Sequence, residues 1–312
     1  MLIMPKAKGL TRTTESPAWE KRSSLSILTP SYNRGHLLPR LFSSLKDIPF
    51  IEQWIIIDDG STDDTRKVVE SFKEVSPEHL KILYIRQNNR GMTGALNVGI
   101  PYLTSDYFCK IDSDDYLTNE FERSFMEMFT SLQERKEEDG YHIFSLSCID
   151  AKGESINSVS KNLSEHKTIK NAYIVEYARD RLYYQNLSGD LLDIFKVAPA
   201  KNLFRYPYIR SFGYCPSGIL HMFYVIYFKG RRQFFYNKAG LHKDYQKLGI
   251  TNTNQDSLSR SPFYYLISAT MELALPNHSA SSAFRSTKTF IWASLLILRG
   301  TFLHMLRSLQ ED

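Results

Sequence analysis

The sequence predicts an α/β fold built on a largely parallel sheet flanked by helices, with a helical extension at its C-terminal end. Three observations predict it. Strand-like and helix-like patterns alternate four times in the first half of the chain. Each apolar, strand-like run closes on a polar loop. Repeated strand-then-helix units place successive strands parallel, with a ligand crevice at their carboxyl ends.

The elements follow in order. Leu25-Ser26-Ile27-Leu28-Thr29 is the first strand and ends at Pro30; Gly35 to Lys46 then carries Leu37, Leu38, Leu41, Phe42 and Leu45 at helical spacing. Trp54-Ile55-Ile56-Ile57 is the second strand. It runs into Asp58-Asp59-Gly60-Ser61-Thr62, after which Thr65 to Phe72 reads as a helix. Leu80 to Ile85 is the third strand, with a helix from Gly94 to Leu103 behind it. The fourth strand, Tyr107-Phe108-Cys109-Lys110-Ile111, ends on Asp112-Ser113-Asp114-Asp115. A helix from Asn119 to Arg135, a charged break from Lys136 to Gly140 and a strand from Tyr141 to Cys148 follow. Beyond Gly153 the periodicity weakens.

With 312 residues, 42% hydrophobic and 23% charged, the chain is long enough for one large domain with an extension. Cys109, Cys148 and Cys215 show no metal-ligand spacing, which makes a reducing, cytoplasmic compartment the default. Met1 to Arg22 lacks the apolar core of a secretory signal and reads as a loose leader. The net charge of +5 is unevenly spread, since Pro199 to Lys247 holds nine Lys or Arg and one acid, Asp244. Aromatics interleave these cations, a pattern suited to nucleic acid, a lipid diphosphate or an anionic membrane, and equally to a solvated basic face. The apolar run Phe290 to Leu298, flanked by Arg285, Lys288, Arg299 and Arg307, is too short to span a bilayer. It fits a basic helix in the membrane interface or a terminal helix packed on the core.

Asp112, Asp114 and Asp115 leave a buried strand together and need a partner. A divalent cation suits them, because hard ions take oxygen ligands and can hold a diphosphate at the same time. A solvated turn is the alternative. No Ser-His-Asp or Cys-His arrangement competes with this cluster.

Four motifs now stand in order: Pro30-Ser31-Tyr32-Asn33, Asp58 to Asp63, Asn89-Arg90-Gly91 through Ala95-Leu96-Asn97-Val98-Gly99, and Asp112-Ser113-Asp114-Asp115. Over Leu25 to Tyr116 their conjunction resembles the family 2 glycosyltransferases, which implies a GT-A type, Rossmann-like fold. The resemblance implies a nucleotide-sugar donor, with UDP as carrier, and a Mn or Mg ion on Asp112 and Asp114. Pro30 and Tyr32 would border the nucleobase, the Tyr32 ring stacking on it, while Asp59 would accept hydrogen bonds from base or ribose. Asn33, Arg90, Asn97, Asp112, Ser113 and Asp115 complete the implied donor set. Asp58 and Asp63 are expected to cap the Thr65 helix instead. The third motif departs from the common form, with Leu96 where an Arg often precedes the Asn, so Arg90 is the candidate for neutralising phosphate.

Later segments, Gly189 to Lys196, Phe212 to Gly218 and Leu248 to Thr251, resemble bacterial surface-polysaccharide transferases. That resemblance implies a glycan or lipid-linked glycan acceptor and an inverting reaction; a position peripheral to the cytoplasmic membrane is the expectation from the basic segment and the Phe290 to Leu298 run. Ser217 stands where those relatives commonly carry an acid after the Pro, and a serine is no general base without an activating neighbour. Asp190 is the substitute candidate, with Asp193 and Asp244 behind it. The expected organisation is a leader at 1–22, a donor half at 23–116, an acceptor half at 117–260 and a C-terminal extension at 261–312. A catalytically impaired, sugar-nucleotide-binding accessory protein is the alternative; nucleic-acid binding would leave the aspartates unexplained.

Overall fold

The computed structural model describes residues 23–159, 165–176, 187–188, 190–197, 232–245, 266, 269–270, 287–295 and 297. The leader, Cys215, Ser217, His221 and most of the basic segment lie outside them. The strands are β1 (Leu25–Ser31), β2 (Ile51–Asp58), β3 (Lys81–Arg86), β4 (Tyr107–Lys110), β5 (Tyr116–Leu117), β6 (Ile143–Ile149), β7 (Ser158–Val159), β8 (Ala172–Glu176), β9 (Leu187–Ser188), β10 (Leu191–Lys196) and β11 (Arg232–His242). The labelled helices are α1 (Leu38–Leu45), α2 (Thr65–Val75), α3 (Gly91–Gly99) and α4 (Phe121–Glu134). Residues 287–295 are also helical. Among the described residues no helix is long and apolar enough to cross a membrane.

One mixed sheet organises the chain in the order β3-β2-β1-β4-β10-β6-β11-β5, with β8 also paired to β11. Its first four strands are parallel, as the repeated strand-then-helix units require. Beyond β4 the sheet turns mixed: β10 is antiparallel to both neighbours, and β11 runs parallel to β6. β7 and β9 form a separate antiparallel pair.

β1, β2 and β4 are buried on both faces, whereas the edge strand β3 is half-buried between an exposed Lys81 and an exposed Arg86. Ile27, Trp54, Ile56, Tyr107 and Cys109 share a core with Leu38, Leu41 and Phe42 of α1, Phe72 of α2 and Phe125 and Phe129 of α4. Phe42 stacks on Phe72 at 4.5 Å between ring centroids, and the buried Trp54 indole donates to Thr29 Oγ1 at 3.0 Å. On the opposite face α3 lies so close that a Cβ at Gly99 would come within 2.3 Å of Leu28 Cδ1 and 2.8 Å of Ile57 Cδ1. Only glycine allows that approach. The helical pattern that the sequence carries on to Leu103 ends as a 3-10 turn at Ile100–Tyr102, where Pro101 has no N–H to continue the helix.

Pro30 explains its own position. Leu28 faces β4, because its carbonyl accepts from Ile111 N at 3.1 Å, whereas Ser31 O faces β2 and accepts from Asp59 N at 2.8 Å. By alternation Pro30 faces the β4 side, beyond the last pair, Leu28 with Lys110. Its missing N–H therefore breaks no ladder bond.

Candidate active site

Strand direction gathers the polar motifs at one edge. β1, β2 and β4 are parallel and end there, as do β6 and β11, while the antiparallel β10 begins there. Asp190, just before β10, and Lys243, just after β11, thus reach the same edge as Asp112 to Asp115.

At the β1 and β2 ends Tyr32 is 48% exposed, an open aromatic face beside the crevice. Asn33 has positive φ (52°), a conformation asparagine tolerates. Its Oδ1 accepts from Thr62 N at 2.7 Å, and its own N–H donates to Ser61 Oγ at 2.9 Å. Asn33 therefore clasps the β1–α1 loop to the β2–α2 loop and sets where Tyr32 stands. Asp59 is buried and accepts from Gln87 Nε2 (2.6 Å), Arg90 N (2.8 Å) and Gly91 N (2.7 Å), so its carboxylate caps α3. Gly91 enables that cap with a φ of +76°. Arg90 is exposed in the same loop, and Asn97 is half-buried on α3. Leu96 is fully buried and points to the core.

Asp63 behaves as the sequence implies, accepting from Thr65 N at 3.1 Å and also from Gly35 N at 3.0 Å. Asp58 does not cap the Thr65 helix. It is buried, accepts from Ser61 N at 2.7 Å and takes the Tyr84 hydroxyl, so it holds the turn and the neighbouring strand.

The acid turn after β4 is surrounded by cations. Asp112 accepts from Lys110 Nζ at 2.7 and 2.8 Å. Lys243 Nζ lies 2.6 Å from Asp115 Oδ2, 3.5 Å from Asp112 Oδ2 and 3.8 Å from Asp190 Oδ2. Asp115 is 2% exposed and also accepts from Asp244 N at 3.1 Å, while Ser113 is buried beside it. Arg34 Nη1 pairs with Asp114 Oδ2 at 2.5 Å. Arg40 lies over the Tyr116 ring, donates to Asp114 O at 2.7 Å and pairs with Asp244 at 2.5 Å. His242 stacks on the same Tyr116 ring, with centroids 4.6 Å apart.

Charge follows geometry. Burial pushes Asp112 up, but the ammonium groups of Lys110 and Lys243 override it and hold the carboxyl well below its ordinary range. Burial would lower Lys243; Asp112, Asp115 and Asp190 instead raise it well above the usual lysine value, so it stays charged. Asp115 is pushed up to about 6 by burial and by its neighbour Asp112, with Lys243 opposing.

Asp190 is exposed before β10 and accepts from Tyr245 Oη at 2.8 Å. Its two substitutes are placed otherwise. Asp193 lies within the sheet on Ser145 Oγ (2.5 Å) and Gln233 Nε2 (3.3 Å), and Asp244 is engaged by Arg40. Sequence reasoning passed over Lys243 and Tyr245, although His242-Lys243-Asp244-Tyr245 directly after an apolar, aromatic run was a usable signal. The described part of the basic, aromatic segment is no nucleic-acid face, because Phe234 and Phe235 are fully buried in β11. Cys109 and Cys148 are buried free thiols. Among the described residues no three His, Cys, Asp or Glu side chains form a protein-only metal site.

Residues 26–172 match the profile of Glycosyl transferase family 2. The GalNAc(5)-diNAcBac-PP-undecaprenol beta-1,3-glucosyltransferase of Campylobacter jejuni is 26% identical over 180 residues, 57% of this chain and 53% of that protein. The chain thus spans about half the length of this relative. Among solved structures, S. aureus TarS 1-349 in complex with UDP-GlcNAc superposes with a TM-score of 0.57 at 18% identity, over 83% of this chain and 69% of that one. Mannosyltransferase PcManGT from Pyrobaculum calidifontis, in complex with GDP-Man and Mn2+, gives a TM-score of 0.56 at 15% identity, over 93% and 81%. These likenesses show the α/β, GT-A type fold that the strand order describes, and residues 26–172 form a Glycosyl transferase family 2 domain.

Proposed function

We propose that the chain transfers a sugar from a nucleotide sugar, with UDP as carrier, to a glycan or lipid-linked glycan of the bacterial surface, inverting the anomeric carbon. One observation carries this reading. The Lys243 ammonium draws the donor-side acids Asp112 and Asp115 and the candidate base Asp190 to one point of the sheet edge. Donor chemistry and acceptor chemistry thereby share a site assembled from both halves of the chain.

The exposed Tyr32 ring offers the base a stacking face, and Asp59 shapes the loop beside it. The aspartates are hard oxygen donors, the type that Mn or Mg takes, and their number fits an ion that completes its shell with donor phosphate oxygens. Asp114 would hold it, with Asp112 alongside. When bound, such an ion neutralises the charge of the departing diphosphate. Asp190, oriented by Tyr245, accepts the proton of the acceptor hydroxyl. The hydroxyl oxygen bonds to the anomeric carbon as that carbon's bond to the phosphate oxygen breaks, and the nucleoside diphosphate departs with the bonding pair.

A position at the inner membrane surface is part of the proposal. Its support is the helix at 287–295, where Phe290, Ile291, Trp292 and Leu295 are exposed. Ser217, in place of an acid, favours a second reading as a sugar-nucleotide-binding accessory protein.

Release of UDP from a panel of UDP-sugars, with and without Mn and with a lipid-linked glycan, tests the proposal. Metal-dependent turnover of one donor is expected, and Asp114→Asn should remove its metal dependence. Binding without release under every acceptor condition would favour the accessory protein.

A further inference from the structure

The donor proposed above carries a diphosphate, and the fold has already used part of its ordinary means of binding one. Helix N-termini at the carboxyl edge of a parallel sheet commonly hold phosphate through free backbone amides. Here four amides at or just ahead of those helix starts have carboxylate acceptors. Gly35 N, ahead of α1, and Thr65 N, at the start of α2, donate to Asp63 at 3.0 and 3.1 Å. Arg90 N and Gly91 N, which open α3, donate to Asp59 at 2.8 and 2.7 Å. The sequence of α3, GMTGALNVG, contains no Lys or Arg. Positive charge for a diphosphate on this edge comes from side chains outside α3.

Arg90, the cation the sequence nominates, is exposed in the β3–α3 loop and among the described residues is not joined to the acid turn; most other nearby cations are committed to structure. Lys110 and Lys243 hold Asp112 and Asp115, Arg40 holds Asp244 and the Asp114 carbonyl, and Arg86 donates to Ser61 O at 3.0 Å. Arg34 is different in its position. It stands two residues after Tyr32, and its guanidinium reaches Asp114, so it bridges the nucleobase side of the crevice and the acid turn. Like Lys110, Arg40 and Arg86 it keeps access to solvent, with 27% of its side chain exposed, whereas Lys243 keeps 15%.

We propose that Arg34 binds the donor's diphosphate and exchanges between that group and Asp114; this rests on the sugar-nucleotide reading above. A guanidinium fits two phosphate oxygens as well as it fits a carboxylate. A divalent ion on Asp114 competes with Arg34 for the same oxygen. Occupation of Asp114 by the ion frees the arginine beside the phosphates that share that ion. Metal and diphosphate should therefore each favour the other's binding through this side chain.

Calorimetric titration of the full chain with UDP and with uridine, in Mn, is the test, using wild type, Arg34→Gln and Arg34→Lys. Arg34→Gln should weaken UDP on the order of tenfold, the loss expected of a charge-assisted pair, and leave uridine unchanged. Arg34→Lys should recover part of the loss. Mn alone, followed by electron paramagnetic resonance, should bind Arg34→Gln more tightly than wild type because the competitor on Asp114 is gone. A folded Arg34→Gln with the wild-type ratio of UDP to uridine affinity would overturn the role of Arg34 while leaving the donor site standing. Failure of wild type to bind either compound would overturn the sugar-nucleotide reading and this inference with it.

Discussion

The edge that carries the site is assembled in two ways. From Leu25 to Asp115 it is built in sequence order: each strand is followed by its helix, and each polar motif arrives at the end of the strand just completed. From β10 and β11 it is built by long-range pairing. Asp190 comes from the start of an antiparallel strand, and Lys243 reaches Asp115 across 128 residues of sequence. The difference teaches where the site is vulnerable. The donor side is stabilised by local turns and caps, such as Asp59 on α3, whereas the acceptor side is joined to it by buried charge around Lys243.

Changing Asp190 should separate the two regions most sharply. Asp190→Asn keeps the shape and the Tyr245 contact but removes the proton acceptor, so kcat should fall by roughly 10²–10⁴-fold, the range for loss of a general base. UDP affinity, a property of the donor side, should stay unchanged by calorimetry. Full turnover in a folded Asp190→Asn would place the base elsewhere, and the acceptor side would then need a carboxylate from outside the described residues.

Lys243→Met attacks the joint itself. It leaves Asp112, Asp115 and Asp190 without a shared ammonium, and removing one partner of a buried ionic group costs about 3–5 kcal/mol. Thermal unfolding should show that loss directly. Were Tm unchanged, the two regions would be held by packing alone and not by the charge around Lys243.

The same division explains what could be read in the sequence. The first strands and their helices were legible because the central strands are covered on both faces, which writes β2 as the plain apolar run Trp54-Ile55-Ile56-Ile57, while the half-buried edge strand β3 still reads as apolar between Lys81 and Arg86. The acid turn was legible because its residues are contiguous. Arg34 and Lys243 were not, since nothing local to either residue states that it ends on Asp114 or Asp115. Phe234 and Phe235 misled for a related reason: aromatics between basic residues read as a binding face until their burial in a central strand is known. Asp59 carries the subtler lesson. An acid at a strand end can serve a ligand or the next helix, and its three protein donors reveal the second duty.

The smallest expected effect lies inside the sheet, at Asp193 on β10. Burial pushes its carboxyl up to about 6, against the hydrogen bond from Ser145. The folded value thus exceeds the ordinary 3.8, so the fold binds the proton more tightly than the unfolded chain does. Stability from this group is present below about pH 4, falls as pH rises through the window to about 6, and the penalty is complete above it. Asp193→Asn removes the charge and keeps an oxygen for the Ser145 hydroxyl. A two-unit shift corresponds to at most about 3 kcal/mol, and partial solvent access at this residue reduces the expected gain to about 1 kcal/mol at pH 7.5. Denaturant unfolding at pH 7.5 and pH 4 should show the variant more stable at the higher pH and near wild type at the lower. An equal gain at both values would assign the effect to packing, and a loss at pH 7.5 would mean that the ionised carboxylate stabilises the junction between β10 and its neighbours, making this strand part of the charged joint and not of the apolar frame behind it.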